Sequence, residues 1–179
     1  MTDVAALLTG RLPSPLGTML LAWDDERRLR ALDFQDSEER FERLLKRYHQ
    51  TGPGRRTPDR PPAEIGDRLA AYFAGEVDVL DSIPVATGGT PFQREIWEAL
   101  RAIPSGETTT YGRLAAQIGR PSACRAVGAA NGANPVVIVV PCHRVIGSDS
   151  SLTGYGGGIE RKRWLLAHEG RHRAVAKSA

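Results

Sequence analysis

The segment TYGRLAAQIGRPSACRAVGAAN, residues 110–131, decides the fold of the second half of this chain. Thr110 to Gly119 reads as a short amphipathic helix closed by Gly119, and Arg120-Pro121-Ser122 turns the chain. A further helix, from about Ala123 to Asn131, is full of small residues. Two short helices joined by a tight glycine-containing turn make a helix-turn-helix. Ala126, Gly128, Ala129 and Ala130 leave its second helix thin enough to approach another surface closely. Helix pairs also serve purely structural roles, so the chemistry has to be sought on either side.

Downstream, Val136-Val137-Ile138-Val139-Val140 reads as one buried strand. Pro141 offers no amide proton to a sheet and ends the pairing there. Cys142-His143-Arg144 follows directly. A thiol at the mouth of a buried strand, beside an imidazole, has the makings of an activated nucleophile. Most cysteines are small buried apolar residues, but an inert core thiol needs no proline, histidine and arginine around it. Adjacent side chains in extended backbone point apart, so proton transfer between Cys142 and His143 requires a turn at Pro141 or a bridging water. Thr153 to Gly158 reads as flexible, Glu160 to His168 as a final helix packed through Trp164 and Leu165, and the residues from about 171 to 179 as a disordered basic tail.

Upstream, Thr90-Pro91-Phe92-Gln93 is a helix start with N-cap, first-turn proline and glutamine three residues on. That helix is expected to run to about Ala102 and to bury Phe92, Ile96, Trp97 and Leu100. In the first half, Leu12 to Phe34 reads as a small antiparallel sheet, with strands at 18–23 and 29–34. Asp36 and Glu39 form a capping box for a helix carrying Phe41, Leu44, Leu45 and Tyr48. Thr51 to Pro62 is an exposed loop, and a second helix spans about Ala63 to Ala74. The fold class is therefore α/β: an N-terminal α/β domain over 1–85, a linker at 86–90, and a mostly helical domain over 91–179 that carries the cysteine.

The 179 residues contain no apolar run near the roughly 20 that span a bilayer, and the start of the chain is unlike a signal peptide. A cytoplasmic protein with no membrane partner is expected. Cys124 and Cys142 are too few for a disulfide framework, and no histidine pair has zinc-ligand spacing. Neither a metal nor another cofactor is expected, since no nucleotide-binding glycine motif is present. Residues 1–89 carry 12 Lys/Arg against 15 Asp/Glu, a balance of −3, whereas residues 90–179 carry 12 against 6, a balance of +6. The basic half holds Cys142 and favours a polyanionic partner, although a solvated basic surface has the same signature.

Pro141-Cys142-His143-Arg144-Val145 closely resembles the active-site signature of the O6-alkylguanine-DNA alkyltransferases. The likeness extends through Thr90–Gln93, Tyr111-Gly112, Arg125–Gly128, Asn134-Pro135, Gly154–Gly157 and Leu165–Gly170, in order, over about 80 residues. Tyr72–Gly75 extends it loosely into the first half, toward the bacterial single-function branch. The resemblance implies a ribonuclease H-like N-terminal domain and a winged helix-turn-helix C-terminal domain.

It also implies a reaction: direct, irreversible transfer of an alkyl group from guanine O6, and from thymine O4, to Cys142. His143 takes the thiol proton through water, Glu169 orients the imidazole, and Tyr111 protonates the leaving base. Asn134 ties the helix-turn-helix to the active-site loop. Val139, Pro141, Val145, Tyr155 and Gly156 line the base pocket. Arg125 fills the stack vacated by a flipped base, while Ala126, Ala129, Ala130 and Tyr111 meet double-stranded DNA from the minor groove. A phosphate contact or a solvated charge is the simpler reading of Arg125 alone. The protein is expected to act as a monomer, with cooperative binding along DNA left open. Gly156 stands where some relatives have serine, and Cys124 where alanine is frequent. Rival readings are a non-transferring alkyltransferase-like lesion binder, which lacks the reactive cysteine, a helix-turn-helix regulator, and a cysteine hydrolase.

Overall fold

Strand β2 (Met19–Trp23) is apolar along its whole length and buried throughout, because both faces of its sheet are covered. The computed structural model describes residues 7–49 and 60–178 of the protein. β2 pairs antiparallel with β1 (Leu8–Leu12) and β3 (Leu29–Phe34), in the order β1-β2-β3. β1 lies ahead of the sheet expected from Leu12 onward. Alternation divides the strands. Leu20, Ala22 and Ala31 pack with Phe41 and Leu45 of helix α1 (Glu38–His49). Met19, Leu21, Trp23, Leu32 and Phe34 face the main core.

That core is continuous between the halves of the chain. It joins Ile65, Leu69 and Tyr72 of α2 (Ala63–Phe73) to Ile96, Trp97 and Leu100 of α3 (Pro91–Arg101), and then to Val127, Cys142 and Leu165. Each large apolar side chain fully buried here contributes about 1.5–3 kcal/mol.

Two N-terminal expectations need comment. Asp36 does not cap α1. It sits within a 3-10 turn, Gln35–Ser37, and its carboxylate accepts hydrogen bonds from Arg161, at 3.0 and 2.8 Å. A guanidinium fork competes well for a carboxylate that a backbone amide would otherwise hold. The loop expected over 51–62 lies outside the described residues except for 60–62.

The capping box on α3 is formed: Thr90 Oγ1 accepts from Gln93 N and Gln93 Oε1 from Thr90 N. Phe92 is only partly buried. Thr110 caps α4 (Tyr111–Gln117), and α5 (Cys124–Gly132) follows through a 3-10 turn at Pro121–Ala123. Trp97 Nε1 donates to Ala130 O at 2.9 Å and fixes α5 on α3. β4 (Thr109–Thr110) and β5 (Val145–Ile146) pair in parallel beside the helix-turn-helix.

The basic tail is corrected: α6 runs from Ile159 to Ser178 without interruption. One glycine inside a helix costs about 1 kcal/mol, and no proline follows Gly170. Arg173, one turn beyond Glu169, is anchored on Ser105 O and Glu107. The glycine-rich loop before α6 is also tied down, with Thr153 O bound by Lys162 and Gly157 O by Arg161. Among the described residues, no helix is long and apolar enough to cross a membrane.

Candidate active site

The strand expected over Val136–Val140 is instead a compact turn. Asn134 causes it: buried Oδ1 accepts from Val136 N at 2.9 Å, and Nδ2 donates to Val140 O at 2.8 Å. Val140 N closes back on Val136 O, and Ile138 takes a positive φ of 71°. Val136 bridges to the sheet beside Leu32 of β3, with Val137 N donating to Leu32 O. An amide that satisfies both ends of the run removes its need for a strand partner. Five apolar residues are buried in either conformation, which is why hydropathy does not separate them.

Pro141 then leads into a 3-10 turn, Cys142–Arg144. Consecutive side chains spread about a third of a revolution apart in such a turn, so Cys142 and His143 escape the opposed geometry of a strand. All three residues of the turn are buried, Cys142 at 2% exposure.

Glu169 is the anchor of the site. Its Oε1 accepts from His143 Nε2 (2.8 Å), Arg144 Nη2 (2.9 Å) and the Tyr72 hydroxyl (2.9 Å). Its Oε2 accepts from Arg144 Nε (2.9 Å) and Gly106 N (3.1 Å). Burial would raise this carboxyl, but His143, together with the bonds and charge of Arg144, outweighs it and holds the group well below the usual carboxylate range. An acid at a helix C-terminus is electrostatically misplaced. Glu169 escapes that cost because α6 continues past it to Ser178.

A carboxylate only accepts, so His143 Nε2 must carry the proton shared with Glu169. Burial pushes the imidazole below its ordinary 6.5, Arg144 and Lys162 push the same way, and Glu169 opposes them. His143 is thus neutral near pH 7, with a bare Nδ1. That Nδ1 is buried and has no protein partner among the described residues. Burial likewise raises the Cys142 thiol above its ordinary 9.0, partly offset by its hydrogen bond with Asn134 and by Arg40 and Lys162. The pairing is a protonated thiol beside an imidazole able to accept a proton. Among the described residues, no group of three or more His, Cys, Asp or Glu is placed to hold a metal ion.

Val139, Pro141 and Val145 are buried around this turn. The Tyr155 ring stands edge-on to His143, with centroids 6.4 Å apart, and Gly156 follows against the Arg40 guanidinium. Tyr111, half-buried at the start of α4, shares a hydrogen bond of 3.0 Å with Thr153 Oγ1. Arg125, Ala126 and Ala129 are exposed on α5, as is Cys124. Ala130 is not: at 3% exposure it faces the core, since helical periodicity sends it inward with Val127.

Four contributors carry no role in the sequence reading: Arg144, Tyr72, Lys162 and Arg40. Lys162 is fully buried and donates to Val145 O (2.6 Å) and Thr153 O (2.8 Å), fixing the strand after the cysteine to the glycine loop. A signal for it exists. Lys162, Leu165 and Glu169 share one face of α6, so two charges lie on the helix stripe that Leu165 buries.

The halves of the chain match two family models. Residues 7–87 match the 6-O-methylguanine DNA methyltransferase ribonuclease-like domain, and residues 91–171 match the DNA binding domain of the same enzyme. A methylated-DNA–protein-cysteine methyltransferase of Salmonella typhimurium is 54% identical over 164 residues, 92% of this chain and 96% of the relative. One from Mycobacterium tuberculosis is 54% identical over 129 residues, 71% of this chain and 77% of the relative. The crystal structure of Mycobacterium tuberculosis O6-methylguanine methyltransferase superposes with a TM-score of 0.75 at 41% identity, covering 93% of this chain and 94% of that one. A crystal structure of the mycobacterial protein in complex with DNA gives 0.78, with 92% and 94% covered. This chain belongs to the methylated-DNA–protein-cysteine methyltransferase family.

Proposed function

We propose that this protein repairs DNA by taking the alkyl group of O6-alkylguanine, and of O4-alkylthymine, onto Cys142. The observation that carries the reading is the buried Glu169–His143 pair beside a buried thiol, with His143 Nδ1 bare. The thiol proton passes through a water to Nδ1, leaving an imidazolium held by Glu169. The thiolate attacks the alkyl carbon; a C–S bond forms and the C–O bond breaks. The departing guanine takes a proton from Tyr111, which stands beside α5. Water cannot cleave the resulting thioether, so each molecule acts once.

A protonated resting thiol suits a protein that acts once, because the thiolate is the oxidisable form. It also suits cytoplasm, where thiols stay reduced. The lesion reaches Cys142 only when flipped out of the duplex, which costs a few kcal/mol. We assign that work to α5, laid in the minor groove with Arg125 filling the gap and the exposed Ala126 and Ala129 allowing close approach. Residues 1–85 then serve as the scaffold that completes the Glu169 site through Tyr72, and 86–90 as the linker. One protein molecule binds each lesion. The alkyltransferase-like rival, which binds without transferring, is disfavoured by the presence of Cys142.

The test is the mass of the intact protein and its peptides after incubation with duplex containing O6-methylguanine. A gain of about 14 Da, one CH₂, is expected on the Cys142 peptide and nowhere else. Label on Cys124, or many lesions repaired per molecule, overturns the reading.

A further inference from the structure

Arg173 lies one turn beyond Glu169 on α6 and reaches back over the turn that follows α3. Its Nη1 donates to Ser105 O, and its Nη2 pairs with Glu107 Oε1 at 2.7 Å. Between those two residues stands Gly106, whose amide donates to Glu169 Oε2. The same turn meets the Glu169–Arg144 pair twice more, with Ile103 O accepting from Arg144 Nη1 and Ser105 Oγ from Nη2 at 3.4 Å. Gly106 has a φ of +73°, and a Cβ there would lie 3.0 Å from Arg173 Cδ and 3.2 Å from Glu169 O. The positive φ and the tight fit between the turn and α6 therefore strain any side chain at 106.

We propose that Arg173 is a positioning residue: it staples the turn Ser105–Glu107 to α6 and so holds the Gly106 amide on the Glu169 carboxylate. The inference rests on the proposed Cys142–His143–Glu169 chemistry. A carboxylate that loses an amide donor holds more uncompensated charge and pulls harder on the His143 proton. The groups facing this pair come from every side: Arg144 from the active-site turn, Tyr72 from α2, Lys162 from α6, and Tyr155 with Cys142 around the imidazole. Arg144 also bonds Ile103 O and Ser105 Oγ in the stapled turn, so a change at Arg173 loosens its hold on Glu169 in the same direction as that of the Gly106 amide. The released Glu169 charge then favours imidazolium, and an imidazolium accepts no proton from the thiol.

The test measures the rate of transfer from free O6-benzylguanine, which needs no DNA binding, to Cys142 across a pH series. Arg173→Met should move the acid limb to higher pH by about half a unit, slowing the reaction up to about threefold on that limb and less above neutrality. Arg173→Lys keeps one donor for Ser105 O and should recover part of both. Gly106→Ala, which pushes the turn off from the other side, should shift the limb in the same direction. A role confined to anchoring the end of α6 would lower the melting temperature and leave the limb in place. Wild-type labelling of Cys142, followed in parallel, separates the two claims. If the wild type labels Cys142 while the Arg173→Met and Gly106→Ala profiles superimpose on it, the staple alone is overturned. If the wild type leaves Cys142 unlabelled, the underlying chemistry falls and the staple with it.

Discussion

Gly156 and Arg40 share one space: a Cβ built on Gly156 would lie 2.5 Å from Arg40 Cζ and 2.7 Å from Nη2. Arg40 cannot simply withdraw. It is paired with the buried Asp33 and donates to Gly132 O and Asn134 O, both at 3.0 Å. The N-terminal half thereby supplies a cation to the wall of the proposed base pocket and supports Asn134, which holds the cysteine turn.

Gly156→Ser should therefore cost transfer rate by displacing Arg40, not by adding a hydroxyl. The cost should shrink in an Arg40→Met, Asp33→Asn background, where the obstacle is gone and no buried carboxylate is stranded. A coupling of about 1–3 kcal/mol from rates in the four-protein cycle is expected. Simple additivity would show that the two residues do not contend for the same space.

Asn134→Ala should destabilise the protein by about 2–5 kcal/mol, since Val136 N and Val140 O both lose their buried partner. The Asn134 amide also holds the Cys142 thiol down, so without it the thiol should rise further above its ordinary range. Denaturant titration and the basic limb of the transfer profile check the two effects separately. A loss of stability with an unmoved basic limb would confine Asn134 to the turn.

Stability should fall with acid from about pH 6.5 downward. His49 is pushed down to about 4 by burial and by Arg30. His143 is also lowered, and unfolding returns both to about 6.5. Below 6.5 the unfolded chain binds more protons than the native one, so the stability they supply is complete above 6.5 and drains as pH drops. Glu169 adds a loss at lower pH, beginning near 4.5. Thermal midpoints measured from pH 8 to 4 check this. His49→Gln, whose amide can replace both ring contacts with Arg30, should flatten the upper part of the fall.

The helices were legible in the sequence because caps and punctuation are local. Thr90/Gln93, Thr110 and Gly119 act within a few residues of themselves. The cysteine, its histidine and Glu169 were legible only as a familiar order of residues, and their geometry was not. A strand and a turn bury Val136–Val140 equally well, so the choice rested on one amide, Asn134, read in three dimensions. Asp36 failed as a cap for the same reason: its partner, Arg161, lies 125 residues away. Arg144, Tyr72 and Gly106 converge on Glu169 from three distant segments, and no periodicity in any of them announces a common carboxylate. The helical tail is not legible in the sequence because its anchor is also remote, at Ser105 and Glu107.

Arg125 supplies the last prediction. It is exposed in the first turn of α5, where the helix dipole disfavours a cation, so its position calls for an external partner. Arg125→Ala should slow repair of duplex containing O6-methylguanine by about five- to a hundredfold, on the order of 1–3 kcal/mol for a lost stacking contact, and leave reaction with free O6-benzylguanine within about twofold. Salt then separates stacking from phosphate binding. Each phosphate contact adds about 0.9 to the slope of log affinity against log salt, whereas a side chain seated in the base stack in place of a flipped nucleotide adds much less. Affinity for unmodified duplex across a salt series, wild type against variant, reads the difference directly. A slope lower by nearly one, with duplex and free-base rates falling together, would make Arg125 a backbone clamp and take the gap-filling role away from it. An unchanged slope with a duplex-only loss is the outcome expected of a residue that holds the stack open.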